Sequence, residues 1–189
     1  MNFTTLKSIL LTSFFIAITS CSTAPTHLIV SPQVYLSPSN KLSEKRAQLT
    51  VVDMRTSTHI VQILEKNEAA IILSSEQRLE DIIQATLSKE WQNQGLFLVE
   101  GAKNKITLTI EKAVISVDQQ SVNYTTQSEI ILKVTIDNTK QTLTSNFKNR
   151  AHNEGPLHAD IAALEREFNQ HLSTLIKQVI LSKDIQVFL

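Results

Sequence analysis

One cysteine, five histidines and 18 acidic residues are the groups from which this 189-residue chain could build chemistry. Asp53 and Arg55 stand two apart, so on an extended segment both side chains point the same way. Such a pair could grip a polar ligand or partner; the reading favoured here is a structural pair that fixes the following loop, since ion pairs are commonly silent in function. His152, His158 and Asp160 form the tightest metal-type cluster, but a metal site needs three or four convergent N, O or S donors. They are read as a solvated turn with Asp160 near a helix N-terminus, and no metal is expected. Glu165 and Glu167 lie about 200° apart around a helix of 3.6 residues per turn, so they cannot pair as acid and base. No catalytic residue is expected, and no cofactor.

The three glycines, Gly95, Gly101 and Gly155, reinforce this. Phosphate-cradling loops and nucleophile elbows need closely spaced glycines for positive φ and close backbone approach. That spacing excludes most nucleotide enzymes and the α/β-hydrolases. Formal charge is zero, with 18 basic and 18 acidic residues and no basic cluster, so nucleic acid is not an expected partner.

The remaining reactive group is Cys21, and its setting differs from all the others. It closes the run Lys7-Ser8-Ile9-Leu10-Leu11-Thr12-Ser13-Phe14-Phe15-Ile16-Ala17-Ile18-Thr19-Ser20. One basic residue, a short apolar core and small residues before a cut make a secretory signal. The core is shorter than the about 17–25 residues of a membrane span. Ile18-Thr19-Ser20-Cys21 resembles the lipobox of bacterial lipoproteins. The resemblance implies a diacylglycerol on the thiol, cleavage before Cys21 and an acyl chain, commonly palmitate, on the new amine. It also gives Ser22 a sorting role: Asp there would retain the protein at the inner membrane, so Ser22 implies the outer membrane. Residues 1–20 are thus read as signal and 21–26 as a lipidated tether reaching on the order of 20 Å. With Cys21 lipidated no thiol is left for a disulfide, and stability must come from packing.

Residues 27–189 read as one α+β domain. His27 to Leu36 looks like an edge strand interrupted at Pro32, and Gln48 to Asp53 like a largely buried strand. Ile60–Leu64 and Ala70–Leu73 could pair around Lys66-Asn67. A helix over about 75–94 is predicted from Leu79, Ile82, Ile83, Leu87 and Trp91, with Ser74 as N-cap, Gln77 as its capping-box partner and Gly95 as the stop. Trp91 falls on that stripe and is read as a core anchor. Phe97–Val99 is a short strand. Ile106, Leu108 and Ile110 alternate with polar residues, and the phase then shifts to Ala113, Ile115 and Val117, which predicts a bulge near Lys112. Two further strands, Val122–Ile136 and Leu143–Asn149, complete an antiparallel meander with one solvated face. A second helix is predicted to about Leu181, packed beside the first on the dry face, with Ile185–Leu189 as a last short strand.

In this order and spacing, the lipobox, Ile29-Val30-Ser31-Pro32, the strand ending Asp53-Met54-Arg55-Thr56, the helix running into Gly95, the meander and the C-terminal helix resemble the YajG family of bacterial lipoproteins. The resemblance implies a lipoprotein of the outer membrane's periplasmic face and carries no catalytic or binding residues. The leading expectation is a non-enzymatic binding or assembly subunit with an envelope protein partner. The alternative is a carrier holding a lipid or peptidoglycan fragment between helices and sheet. Both rest on Cys21. Cys21→Ser should abolish incorporation of labelled palmitate, and Ser22→Asp should keep it while moving the protein from outer- to inner-membrane fractions.

Overall fold

The computed structural model describes residues 27–189. Cys21, Ser22 and the expected signal and tether lie outside the described residues.

The longest run of alternation becomes the spine of a mixed eight-stranded sheet. It forms strand β6 (Asn104–Gln119), flanked on one edge by β7 (Asn123–Asp137), which in turn pairs with β8 (Thr142–Pro156). Ile106, Leu108 and Ile110 are buried, and so are Ala113, Ile115 and Val117. The phase shift is absorbed where Ile110 faces Leu132 but Lys112 faces Ile131, which leaves Glu111 as one extra residue on β6. That is the predicted bulge, and it keeps apolar residues on one face through both halves of the strand.

The sheet is not purely antiparallel. The other edge of β6 is shared end to end by two strands parallel to it. Ala47–Asp53 of β2 (Arg46–Asp53) lies against Asn104–Ile110, and Val61–Glu65 of β3 (His59–Glu65) lies against Ile115–Gln119. The predicted hairpin is present, with β3 antiparallel to β4 (Ile71–Ser75). Two short parallel strands finish the sheet: β1 (His27–Leu28) on β4 and β5 (Phe97–Leu98) on β2. Parallel pairing requires a crossover, here a helix over residues 79–93 between β4 and β5. Periodicity reports which face a residue takes and not which strand it meets, so this pairing was invisible in the alternation.

Helix α1 (Leu79–Asn93) starts later than predicted. Ser74 is opposite His27 and His59 in the sheet, so it is no cap. The Ser75 hydroxyl donates instead to the Gln77 carbonyl, and Arg78 takes the cap position with no side-chain capping bond, its guanidinium pairing with Glu80. The stop is as predicted. Gly95 has φ +91°, with its N–H on Gln92 O (2.9 Å) and the Leu96 N–H on Trp91 O (3.0 Å), the paired bonds of a Schellman ending. Helix α2 (Ile161–Leu181) has Asp160 as N-cap, its carboxylate accepting from the Ala162 N–H at 3.1 Å. The expected last strand is a helix, α3 (Lys183–Phe188). Ser182 caps it, and Ile185 and Leu189, four apart, turn inward while Val187 is exposed.

α1 packs on β2, and α2 on β7 and β8, both on the apolar face. Trp91, Ile83, Leu87, Phe168, Leu172 and Leu175 have no exposed surface there. Phe168→Ala should therefore cost about 3–5 kcal/mol; an unchanged denaturation midpoint would show that α2 does not dock as described.

Candidate functional site

Two neighbouring interruptions of the sheet coincide at the Asp53–Arg55 pair. From Asp53 to Val61 the chain takes eight steps, while the facing strand takes five from Ile110 to Ile115, so residues 54–60 must bow out between β2 and β3. This happens beside the Glu111 bulge. Met54 N–H still reaches Ile110 O at 3.0 Å. Beyond it Arg55 turns inward, and its guanidinium donates to Ala113 O (3.1 Å) and His59 O (3.3 Å). Asp53 takes the opposite side of the same guanidinium at 2.7–3.1 Å and also accepts from the Arg55 N–H. Both side chains are largely buried, 5% exposed for Arg55 and 11% for Asp53. Burial pushes the Asp53 carboxyl up, but the Arg55 hydrogen bonds and charge outweigh it and hold it below the usual carboxylate value. The pair is a plug in the sheet, filling a gap that strand hydrogen bonds leave.

The other expected candidates are separate. His152 stands on β8 beside Glu154 at 3.6 Å, His158 lies in the following loop, and Asp160 caps α2. Among the described residues no group of three His, Cys, Asp or Glu is placed to hold a metal. Glu165 and Glu167 diverge as the helix geometry requires: Glu165 accepts from the Ile29 N–H at 2.8 Å, Glu167 from the Asn153 side chain at 3.1 Å. Glu129, on the outer face, is bridged by Lys112 and Arg150, whose hydrogen bonds lower its pKa against the cost of burial.

The segment expected as an interrupted edge strand holds a feature that sequence reasoning missed. Only His27 and Leu28 pair in the sheet; the chain then leaves as an extended strap over 29–37. Leu28, Val30 and Pro32 are buried, with Val34 and Leu36 packed against the core, while Ile29, Ser31, Gln33, Tyr35 and Ser37 face out. Glu165 takes the Ile29 N–H, Asn169 bonds both Ile29 O and Ser31 N–H, and further on Gln94 donates to Ser37 O at 3.1 Å. Side chains of both helices thus replace a strand partner, and Pro32, without an N–H, loses nothing in such a place. The period-2 apolar pattern Leu28-Val30-Pro32-Val34-Leu36 was the available signal.

The strap forms a ridge between two open grooves. One, about 640 Å³, runs between the strap and α1 along Ala85, Thr86, Lys89, Glu90 and Asn93. The other, about 440 Å³, runs between the strap and α2 along Arg166, Asn169, Gln170, Ser173 and Lys177. Tyr35 lines both and is 80% exposed. Glu90 is only 5% exposed, and its Oε2 has no hydrogen-bond partner. A buried carboxylate oxygen left so is a costly feature, and this one borders the larger groove.

The described residues form an α+β domain with two long helices and a short third one on a mixed sheet. The chain belongs to a family of uncharacterised lipoproteins, Lipoprotein_16, whose model matches residues 32–189. The match agrees with the YajG-type resemblance and makes the chain a membrane-anchored envelope protein. Among the described residues no helix is long and apolar enough to cross a membrane. Of solved structures, protein XCC0632 from Xanthomonas campestris is similar at TM-score 0.58 and 12% identity, over 87% of this chain and 97% of that one. A putative neuraminyllactose-binding hemagglutinin homolog from Helicobacter pylori matches at TM-score 0.43 and 12% identity, over 86% and 91%. Rare lipoprotein B from Shewanella oneidensis matches at 0.33 and 11%, over 68% and 90%. No curated protein matches the chain.

The plug predicts a pH dependence. A depressed carboxyl contributes stability above its unfolded value, about 3.9, and that contribution is lost as pH falls through the folded value. Asp53→Ala should cost about 3–5 kcal/mol at neutral pH by leaving Arg55 buried and unpaired. The difference from wild type should shrink below about pH 4, as denaturant melts at pH 7 and pH 3 would measure.

Proposed function

We propose that this protein is a non-enzymatic binding or assembly subunit, held by lipid on Cys21 at the periplasmic face of the outer membrane. The strap and its two grooves form the surface that takes an envelope protein partner. The observation that carries this reading is the combination at the strap: an aromatic ridge at Tyr35 and, beside it, a nearly buried carboxylate oxygen of Glu90 without a partner. Aromatic anchors dominate interface energetics, and the Glu90 carboxylate in the groove wall favours a partner segment that brings a basic side chain near it, without direct contact to the buried oxygen.

The non-enzymatic reading is supported by the uses already made of the acidic groups. Asp53 holds Arg55, Glu129 holds Lys112 and Arg150, Asp160 caps α2 and Glu165 holds the strap. The carrier alternative would place a ligand between helices and sheet, where Trp91, Phe168, Ile110 and Leu132 have no exposed surface. The grooves lie outside that layer.

In-cell crosslinking from a photoreactive residue at Tyr35 should capture one envelope protein. Tyr35→Ala should weaken that partner's binding about tenfold or more, on the scale of an interface hot spot, and leave the melting temperature unchanged. Co-purified lipid or glycan in place of a protein would favour the carrier.

A further inference from the structure

Of thirteen large apolar side chains exposed among the described residues, five, Leu64, Ile71, Ile72, Val122 and Leu157, share one end of the sheet. The strand register brings all five to one end of the molecule. Glu65 at the end of β3 faces Gln119 at the end of β6, Gln119 faces Tyr124 at the start of β7, and Asn123 faces Pro156 at the end of β8. Leu64 stands one residue before that end, Ile71 and Ile72 lie across the β3–β4 turn, Val122 is in the β6–β7 turn, and Leu157 follows β8. Apolar residues scattered singly need no explanation, whereas a group gathered at one end does.

This end is also built to keep its shape. The buried Gln119 amide donates to Gln120 O (2.8 Å) and Leu157 O (2.8 Å), and its oxygen accepts from the Ala159 N–H (3.0 Å). The Leu157 N–H donates to Val122 O at 2.9 Å. These bonds hold Leu157 at φ +63°, a left-handed conformation that is unfavourable for a residue with a branched side chain. The conformation leaves the side chain 69% exposed, beside a Val122 that is 74% exposed. Strained backbone that presents an apolar side chain to water points to a contact the isolated domain does not make.

The path of the chain identifies what covers it. β1 runs parallel to β4 with His27 opposite Ser74 and Leu28 opposite Ser75. His27, the first described residue, therefore stands three strand positions from Ile71, about 10 Å, and β1 runs away from the β3–β4 turn. Cys21 precedes His27 by six residues, which span at most about 20 Å, so an acylated Cys21 keeps this end of the domain close to the bilayer. Glu65, Lys66 and Glu68 at the turn give no net positive charge, so attraction to anionic headgroups does not account for the contact.

We propose that this apolar end is a docking face for the lipid surface, with Val122 and Leu157 seated in the interfacial layer beside the acyl anchor. The proposal rests on the lipoprotein reading of Cys21. Its test uses the acylated full-length protein in phosphatidylethanolamine–phosphatidylglycerol vesicles, in which Cys21 carries lipid and an introduced cysteine is the single free thiol. Val122→Cys and Leu157→Cys, labelled with an environment-sensitive fluorophore, should show blue-shifted emission and quenching by doxyl-labelled lipid. Val187→Cys should show neither, because Val187, 83% exposed, belongs to the opposite end, where the Leu189 carbonyl accepts from Asn104. Equal response at all three positions, or none at 122 and 157 in a chain whose acylation mass spectrometry verifies, would overturn the docking face and leave the anchor intact. A chain recovered without acyl groups would overturn both. Blue shifts at 122 and 157 that appear without vesicles and grow with protein concentration would assign the face to a second copy, and would also overturn the proposal.

Discussion

The Arg55 guanidinium is the contact on which the arrangement of this sheet turns. A 16-residue strand such as β6 is long for a twisted sheet, and it is served along one edge by two shorter strands in tandem. Where the first ends and the second begins, strand hydrogen bonding lapses, and a carbonyl buried at such a seam carries a free-energy cost. Arg55 supplies donors to both sides, on Ala113 O and His59 O, while Asp53 keeps its charge compensated. The Glu111 bulge on the opposite side of β6 restores the inside-outside alternation at the same level. Breaks in two ladders therefore fall together, and one ion pair closes the side that a bulge cannot.

The strap applies the same physics elsewhere. Its backbone polar groups have no strand neighbour beyond Leu28, yet its alternate side chains are buried. Glu165 and Asn169 of α2 and Gln94 at the end of α1 substitute for the missing strand. Both helices accordingly run in the direction of the strap. Its beginning lies beside Glu165 in the first turns of α2, and Ser39 N–H reaches Asn93 O at the close of α1. Three polar side chains on two helices thus set the course of the chain directly after the expected tether.

Much of this was legible from local pattern. The β6 phase shift, the Gly95 stop, the α2 stripe and the inward Trp91 all follow from periods of 2 and 3.6 and from positive φ, and each involves residues near in sequence. The Asp53–Arg55 spacing gave the pair and its structural role, but not its acceptors, because Ala113 is 58 positions from Arg55. Parallel pairing of β2 and β3 with β6 was illegible for the same reason: it depends on a crossover helix, and alternation carries no information about neighbours. Ser74 misled because a hydroxyl followed three residues later by Gln77 satisfies the capping pattern as readily in a strand end as in a helix start. The tail misled because five residues with apolar alternation are too short to separate a strand from a helical turn.

The apolar end and the strap lie along one axis of the sheet, and if that end meets lipid the axis constrains how a partner must approach. The strap begins beyond Ser75, at the end of β4 away from Ile71, and runs with both helices farther from the apolar end toward Asn93 and Gln94. Tyr35 is eight residues beyond His27, a distance of up to about 26–29 Å along an extended chain. If the apolar end meets lipid, the grooves stand along the membrane normal, and their Tyr35 region lies on the order of a domain's width from the headgroups. The polar outer face of the sheet, with its Lys112–Glu129–Arg150 bridge, then stands upright to the membrane on the side away from the grooves. A partner that fits the grooves would extend away from the bilayer rather than lie flat on it.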